Sequence, residues 1–321
     1  MLWFLTSTTL LLLLALGLAL LARSGRRIIE SSTLLITALP LLSLGLECAV
    51  PVQLSTNWSL TFPSDSLTSA GFSSALTAIW VAGIFVHLVI LARRWAQVLA
   101  LKAGSASLPL ESVSVISTCL SQPEEIIRSH FKTSASIQTP MVIPGLHSLV
   151  LLPAAWDTWP VRLQAGALRH EWHHLRHRDA LWNLWMSLFR AALWFHPLAW
   201  LSVQVWTDAC EKDADQAAVT GSDPASYAQD LLGLATLQPY AITGITGFLG
   251  SSRLALQRRI RSLLSSPHHD QAHQPFLLKI SGPLLILVLT LICAWTGIRH
   301  HTLRLEEATL RLSANAFPAD P

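Results

Sequence analysis

Long stretches free of Lys, Arg, Asp and Glu constrain this chain more than any other feature. A helix needs about 20 apolar residues to cross hydrocarbon, where an unpaired backbone finds nothing to bond to. Four windows approach that requirement. Met1 to Ala22 ends at Arg23; about Ser32 to Val50 contains Pro40 and carries Glu47 near its far end; Gly71 to Ala92 stops at Arg93-Arg94; and Ile280 to Ile298 lies between Lys279 and Arg299. The first lacks a basic leader and its apolar part exceeds the usual signal-peptide core, so it reads as a retained span. Charged residues are 13% of the chain, half of the roughly 25% usual in soluble domains. That excludes disorder and a charge-rich soluble enzyme.

Positive charge near span ends sets orientation. Arg23, Arg26 and Arg27 follow the first window, whereas Pro51 to Ala70 holds no Lys or Arg. The first loop is therefore expected in the cytoplasm and the second outside. Alternation gives three spans over 1–92, a cytoplasmic segment over 93–279, a fourth span over 280–298 and a short external tail over 299–321. Arg299, Arg304 and Arg311 in that tail pull the other way, partly offset by Glu306 and Glu307. The net charge of +3 is not gathered into a basic face, so no direct nucleic-acid binding is expected. Cys48, Cys119, Cys210 and Cys293 are far apart with no CxxC pair, which speaks against a disulfide scaffold. The Asn57-Trp58-Ser59 sequon is of a kind that recurs by chance.

Inside 93–279, Leu108 to Thr139 reads as mixed strand and helix, with strand-like alternation over Ser112-Val113-Ser114-Val115-Ile116. Met141-Val142-Ile143 and Ser148 to Leu152 are apolar runs split by Pro144-Gly145, a hairpin or bent edge strand. Asp157 to Asp179 has helical spacing, and it contains His170-Glu171-Trp172-His173-His174.

That HExxH segment sets two imidazoles four residues apart on one helix face, with Glu171 beside the metal's open position. With 13 His and few Glu in the chain, chance supplies about 0.015 such matches. Against it stands a plain His-rich solvent face, since His173 lies within the motif and His177 just beyond it. A catalytic zinc usually takes three protein ligands. Glu211 is the candidate third, within an expected helix from Asp208 to Val219, and Asp215 one turn on is the candidate carboxylate that orients a ligand imidazole. Alone, the Glu211–Asp215 pair would read as a solvated helix face; about 40 residues after HExxH it reads as a ligand set. Asp179 either supports a ligand in the same way or pairs with Arg176 or Arg178, and both readings stand.

Asp179 to Trp206 is nearly as apolar as a span, with Arg190 the only charge before Asp208. A straight crossing would put Glu211 about 30 Å from His170. The expected solution is a helical hairpin near 180–206 that dips into the interface and turns at His196-Pro197, its tryptophans at headgroup depth.

These residues resemble the metallopeptidase domain of the BlaR/MecR-type membrane antirepressor family. The likeness rests on Ala167 to Asn183, with His170-Glu171, His174, Arg178-Asp179 and Leu181-Trp182-Asn183, and on Trp194 to Trp200. It continues through Glu211 with Asp215, Ser226-Tyr227-Ala228 and Arg259-Ile260, with Thr139-Pro140 and Val150 to Pro153 matching the strand before the helix. Two departures stand out. Beta-lactam sensors of this family carry a penicillin-binding domain after the last span, whereas here about 20 residues follow, without a Ser-x-x-Lys site, so direct beta-lactam sensing is not expected. The family often has Cys where this chain has Ala214, and at that position the chain instead resembles the membrane proteases of the stress-protease and CAAX-protease type.

The resemblance implies a multi-pass α-helical membrane protein with an α+β zincin-like (gluzincin) metallopeptidase domain in a bacterial inner membrane. It implies one zinc ion per chain and, as substrate, a winged-helix repressor or the protein itself, with Ser262 to Gln274 a place for a self-cut or a plain juxtamembrane linker. Homodimerisation is left open. In this reading zinc on His170, His174 and Glu211 brings water to a pKa of about 7. Glu171 moves the proton to the leaving amine, and an extended substrate pairs with the edge strand at Met141, Val142 and Ile143 or at Ser148 to Leu152. Tyr227, Tyr240 and His196 are candidate oxyanion donors, each also explicable as structural. The rival readings are a housekeeping membrane quality-control protease and a non-enzymatic metal-binding signalling scaffold.

Overall fold

The computed structural model describes positions 2–21, 26–37, 68–145, 147–220, 222–236 and 253–265. The end of the second apolar window, the sequon, Cys48, Cys293, Tyr240, the stretch 266–274, the fourth window and the tail lie outside the described residues. The chain divides into two units, Met1–Ile79 with His273–Pro321, and Trp80–Ala272.

In the first unit, α1 (Leu2–Leu21) is an apolar helix and α2 (26–37) a helix that opens on Arg26-Arg27 and carries Glu30. Ala15 and Ile28 are buried, with Leu14 and Leu35 packed around them. Arg26 sits one turn before Glu30 and pairs with it at 2.8 Å, the spacing at which opposite charges meet on a helix.

Helix α3 (Thr68–Ala103) is long and apolar enough over Ala75–Ala103 to cross a membrane, and is the one such helix among the described residues. It continues past Arg93-Arg94 rather than ending there. The described residues of the second unit form a mostly helical body around a four-stranded sheet. After α3 come β1 (Ala106–Ser107), α4 (Leu110–Leu120), α5 (Glu124–His130), β2 (Phe131–Ser134), β3 (Met141–Ile143) and β4 (Leu149–Pro153). The remaining elements are α6 (Val161–Arg176), α7 (Asp179–Ala192), α8 (Pro197–Ala218), α9 (Pro224–Thr236) and α10 (Arg253–Ser265).

The sheet order is β1-β2-β4-β3. β2 runs parallel to β4 with Phe131 opposite Val150, and β3 is antiparallel to β4 with Met141 opposite Leu151 and Ile143 opposite Leu149. The two apolar runs around Pro144-Gly145 are thus a hairpin, and β3 is its outer arm. β4 has neighbours on both sides and is buried throughout, which explains a run too apolar to alternate. The Ser112 to Ile116 alternation is not a strand but part of α4. Val113 and Ile116, three apart, are fully buried while Val115 is 51% exposed. Over five residues, periods of 2 and 3.6 share too many positions to be separated.

The core joins Val113, Ile116, Ile127, Phe131, Val150, Leu152, Trp156, Leu168 and Leu175. It seats α6 on the sheet, with Trp172 stacked on Phe131. Prolines precede or open α4, α5, α6 and α8, where a missing N–H breaks no helical bond. α6 starts only after Pro160 and stops at Arg176; Arg178 takes a left-handed conformation (φ 56°) and starts α7 at once.

α7 and α8 pack against each other across a tight turn at Leu193–Phe195. That turn docks on α3. Trp80 Nε1 donates to the Ala192 carbonyl at 2.8 Å, and Trp194 Nε1 donates to the Trp80 carbonyl at 3.3 Å. A Cβ at Gly83 would overlap the Trp194 indole, so glycine is what lets the ring lie on the helix. His87 stacks on Trp194 and meets Trp200 edge-on, and the Arg190 guanidinium lies 4.7 Å from the Trp200 ring.

Candidate metal centre

The site forms where α6 crosses α8. One turn apart on α6, His170 and His174 bring their Nε2 atoms to 3.1 Å. Each Nδ1 faces a buried carboxylate: His174 Nδ1 lies 2.7 Å from Asp179 Oδ2, and His170 Nδ1 lies 3.2 Å from Asp215 Oδ1. His174 Nδ1 hydrogen-bonds Asp179, whereas His170 Nδ1 meets Asp215 at ion-pair distance without hydrogen-bond geometry; with the protons on Nδ1, each Nε2 presents a lone pair to the other. Two converging lone pairs need a proton or a cation between them.

Glu211 comes from α8. Its Oε2 is 3.6 Å from His170 Nε2 and its Oε1 is 3.8 Å from His174 Nε2. The three ligand atoms fall within 4.8 Å of one another. Imidazole nitrogens bound tetrahedrally at 2.0–2.1 Å stand about 3.3 Å apart, close to the separation found. The residues present therefore fit a metal ion. Two imidazoles and one carboxylate, each imidazole oriented by another carboxylate, are a donor set suited to a divalent transition metal.

Burial opposes charge on His170, but Asp215 and Glu211 outweigh it and raise its pKa to about 9. Burial likewise opposes ionisation of Glu211, yet the Arg259 guanidinium and His170 hold it well below the usual carboxylate range. Asp215 is lowered by His170 and Arg259 against its own burial. Tyr227 is pushed well above the ordinary phenol value by burial and by the Asp215 charge.

The sequence-selected residues distribute as follows. His170, His174, Glu211, Asp215 and Asp179 converge. Glu171 is half-buried next to His170 on α6, and its charge is felt at Tyr227. Asp179 faces His174. Tyr227 joins the site through its hydroxyl, which donates to Asp215 Oδ1 at 3.4 Å, while its ring lies over Gly166, where a Cβ would stand 3.0 Å from it. His196 does not join; it caps the far end of α8, about 20 Å along the helix from Glu211 at 1.5 Å per residue. Met141, Val142 and Ile143 form the outer strand, against which α6 packs.

Arg259 is the participant that sequence reasoning did not assign. From α10 its Nε and Nη2 hold the two Asp215 oxygens at 2.9 and 2.6 Å, and its Nη1 holds Glu211 Oε2 at 3.0 Å. Arg259-Ile260 entered only as part of the resemblance, with no role; the further signal was an arginine beside the Leu256, Ile260, Leu263 stripe of an amphipathic helix.

The family described as BlaR1 peptidase M56 matches residues 3–263. The chain belongs to that family. Relatives include the regulatory protein BlaR1 of Bacillus licheniformis, 28% identical over 156 residues, which are 45% of this chain and 24% of the relative. The methicillin resistance mecR1 protein of Staphylococcus aureus is 24% identical over 170 residues, 51% of this chain and 28% of the relative. The mecR1 protein of Staphylococcus epidermidis gives the same figures. The chain thus spans about a quarter of the length of these relatives. The match to this peptidase family takes in the full His170–His174–Glu211 cluster and Arg259.

Proposed function

We propose that this protein is a membrane-embedded zinc endopeptidase that acts in signalling by cutting a cytoplasmic repressor, itself, or both. The observation that carries the reading is the convergence of His170 Nε2, His174 Nε2 and Glu211, with both Nδ1 atoms directed at carboxylates. A structural zinc site closes with four protein ligands; three protein ligands among the described residues, with Glu171 alongside, fit a hydrolytic site of the gluzincin type.

Zinc, when bound, supplies the Lewis acidity that makes water a nucleophile near neutral pH. This chain's own residues do the rest. Asp179 and Asp215 hold the imidazoles in the tautomer that leaves Nε2 free. Glu171 accepts a proton from the attacking water and delivers it to the departing amine. β3 offers an extended substrate an unpaired edge beside α6, with backbone bonds that make little demand on sequence.

The contacts between the α7–α8 turn and α3 support a site close to the cytoplasmic membrane face. Trp80 stands about 20 Å along α3 from Arg93, so with the arginine pair at the inner surface the hairpin tip reaches into the apolar layer, deeper than the headgroup depth expected for its tryptophans. α7 and α8 each run about 20 Å back from that tip to Asp179 and Glu211, which returns the metal centre to the arginine level. This removes the conflict that a straight crossing would create. The multi-pass arrangement, with the peptidase between a third and a fourth span, the external tail and a lipid bilayer as partner, belongs to the same proposal.

The test is cleavage by the parent and by Glu171→Gln, each offered a winged-helix repressor and a generic unfolded protein. Cutting of the repressor by the parent alone supports the signalling role. Equal cutting of both substrates by the parent supports a quality-control protease, a reading that edge-strand recognition also accommodates. Equal cutting by parent and variant overturns the assigned site.

A further inference from the structure

We propose that Arg259 is a positioning residue for the metal ligand Glu211: it occupies one carboxylate oxygen and leaves the other as the single ligand atom. The inference rests on the zinc reading above and adds a residue from outside the two helices that carry the ligands.

Arg259 directs three of its five N–H donors at the two carboxylates: Nε and Nη2 hold Asp215 in a two-pronged fork, and Nη1 holds Glu211 Oε2. A guanidinium suits this task because its rigid plane fixes two carboxylates relative to each other. Asp215 in turn faces His170 Nδ1. One side chain therefore sets the orientation of two ligands, Glu211 directly and His170 through Asp215.

Helix α10 is built to deliver it. Leu263 is buried with Ala218, Tyr227, Ala228 and Leu231, and Leu256 and Ile260 pack beside them. On α8, Asp208, Glu211 and Asp215 recur at the spacing of one helix face, and consecutive arginines of α10 meet them. Arg258 pairs with Asp208 at 3.0 Å in solvent, while Arg259 takes the two inner carboxylates.

With the imidazoles neutral, Glu171, Glu211, Asp215 and Asp179 carry four negative charges against one positive on Arg259, an excess that favours a bound cation. Loss of Arg259 makes the site more negative, which by Coulomb attraction alone favours a cation. It also frees Glu211 to chelate through both oxygens and leaves Asp215 without its fork. Removal of an outer partner of a metal ligand typically weakens binding 10–100-fold, so the loss of order wins.

The test uses the full chain in detergent, with zinc affinity read by competition with a chromogenic chelator and cobalt(II) absorption reporting the ligand geometry. Arg259→Met is expected to bind zinc about 10–100-fold more weakly and to show weaker cobalt bands, as a second carboxylate oxygen raises the coordination number. Arg259→Lys, which keeps the charge without the fork, is expected to recover part of the affinity, and it decides the matter if the Met variant does not fold. Arg258→Met is expected to match the parent. Zinc affinity and cobalt spectra in the folded Arg259 variants equal to the parent's overturn the proposal while the zinc reading stands. A parent that binds no metal overturns both.

Discussion

Asp179 Oδ2 lies 2.7 Å from His174 Nδ1, and both residues are held there by a two-residue turn whose second member, Arg178, is left-handed. The helix that supplies the imidazole ends, the chain reverses, and the next helix begins with the carboxylate that orients it. Asp179 is 2% exposed, so its charge is expressed toward the imidazole rather than toward water. Asp179→Ala is therefore expected to weaken zinc binding about 10–100-fold, with His174 free to rotate. Chelator competition measures it; an unchanged affinity would mean that Asp179 only stabilises the helix junction.

The raised pKa of His170 has a sign that can be checked. In the metal-free protein the folded value is about 9, above the unfolded value of about 6.5. Its stabilising contribution is therefore complete below about pH 6.5 and is lost as pH rises through about 9. Metal binding needs the neutral imidazole, so zinc uptake at pH 7.5 should displace close to one proton from His170, and this release should vanish above about pH 10. Calorimetry in buffers of different ionisation enthalpy counts those protons. Release that stays constant from pH 6 to 10 would contradict the assignment.

Gly83 sits where the Trp194 indole crosses α3. An alanine normally gains about 1 kcal/mol over glycine inside a helix. Here its methyl meets a ring held by its own hydrogen bond to the Trp80 carbonyl, and overpacking of this kind costs about 1–3 kcal/mol. Gly83→Ala is expected to loosen the α7–α8 turn, seen as faster proteolysis near Leu193 and a lower Tm. A variant with a higher Tm would show that the contact is not tight.

The chemistry was legible in the sequence wherever a helix fixes the geometry by spacing alone. His170 with His174, and Glu211 with Asp215, are each four apart, and that spacing dictates a shared face before any tertiary contact is known. Asp179 could not be decided because its direction depends on the left-handed turn at Arg178, which no local pattern announces. Arg259 stood out only by resemblance, and its role could not be read for a different reason: its partners lie on another helix, more than 40 residues earlier. In the fold, the hairpin of β3 and β4 could be read from Pro144-Gly145. The parallel pairing of β2 with β4 and the helical state of Ser112 to Ile116 could not, since both are settled by packing against α5 and α6.

The most direct measurement is the zinc content of the purified chain beside His174→Ala, Glu211→Ala and Glu171→Gln, joined to the X-ray absorption spectrum of the loaded parent. The account predicts one zinc per chain in the parent and in Glu171→Gln, with two imidazoles and otherwise oxygen around it at about 2.0–2.2 Å, and loss of tightly held zinc in the other two. Zinc retained in full by Glu211→Ala, or a sulfur ligand in the spectrum, would contradict it.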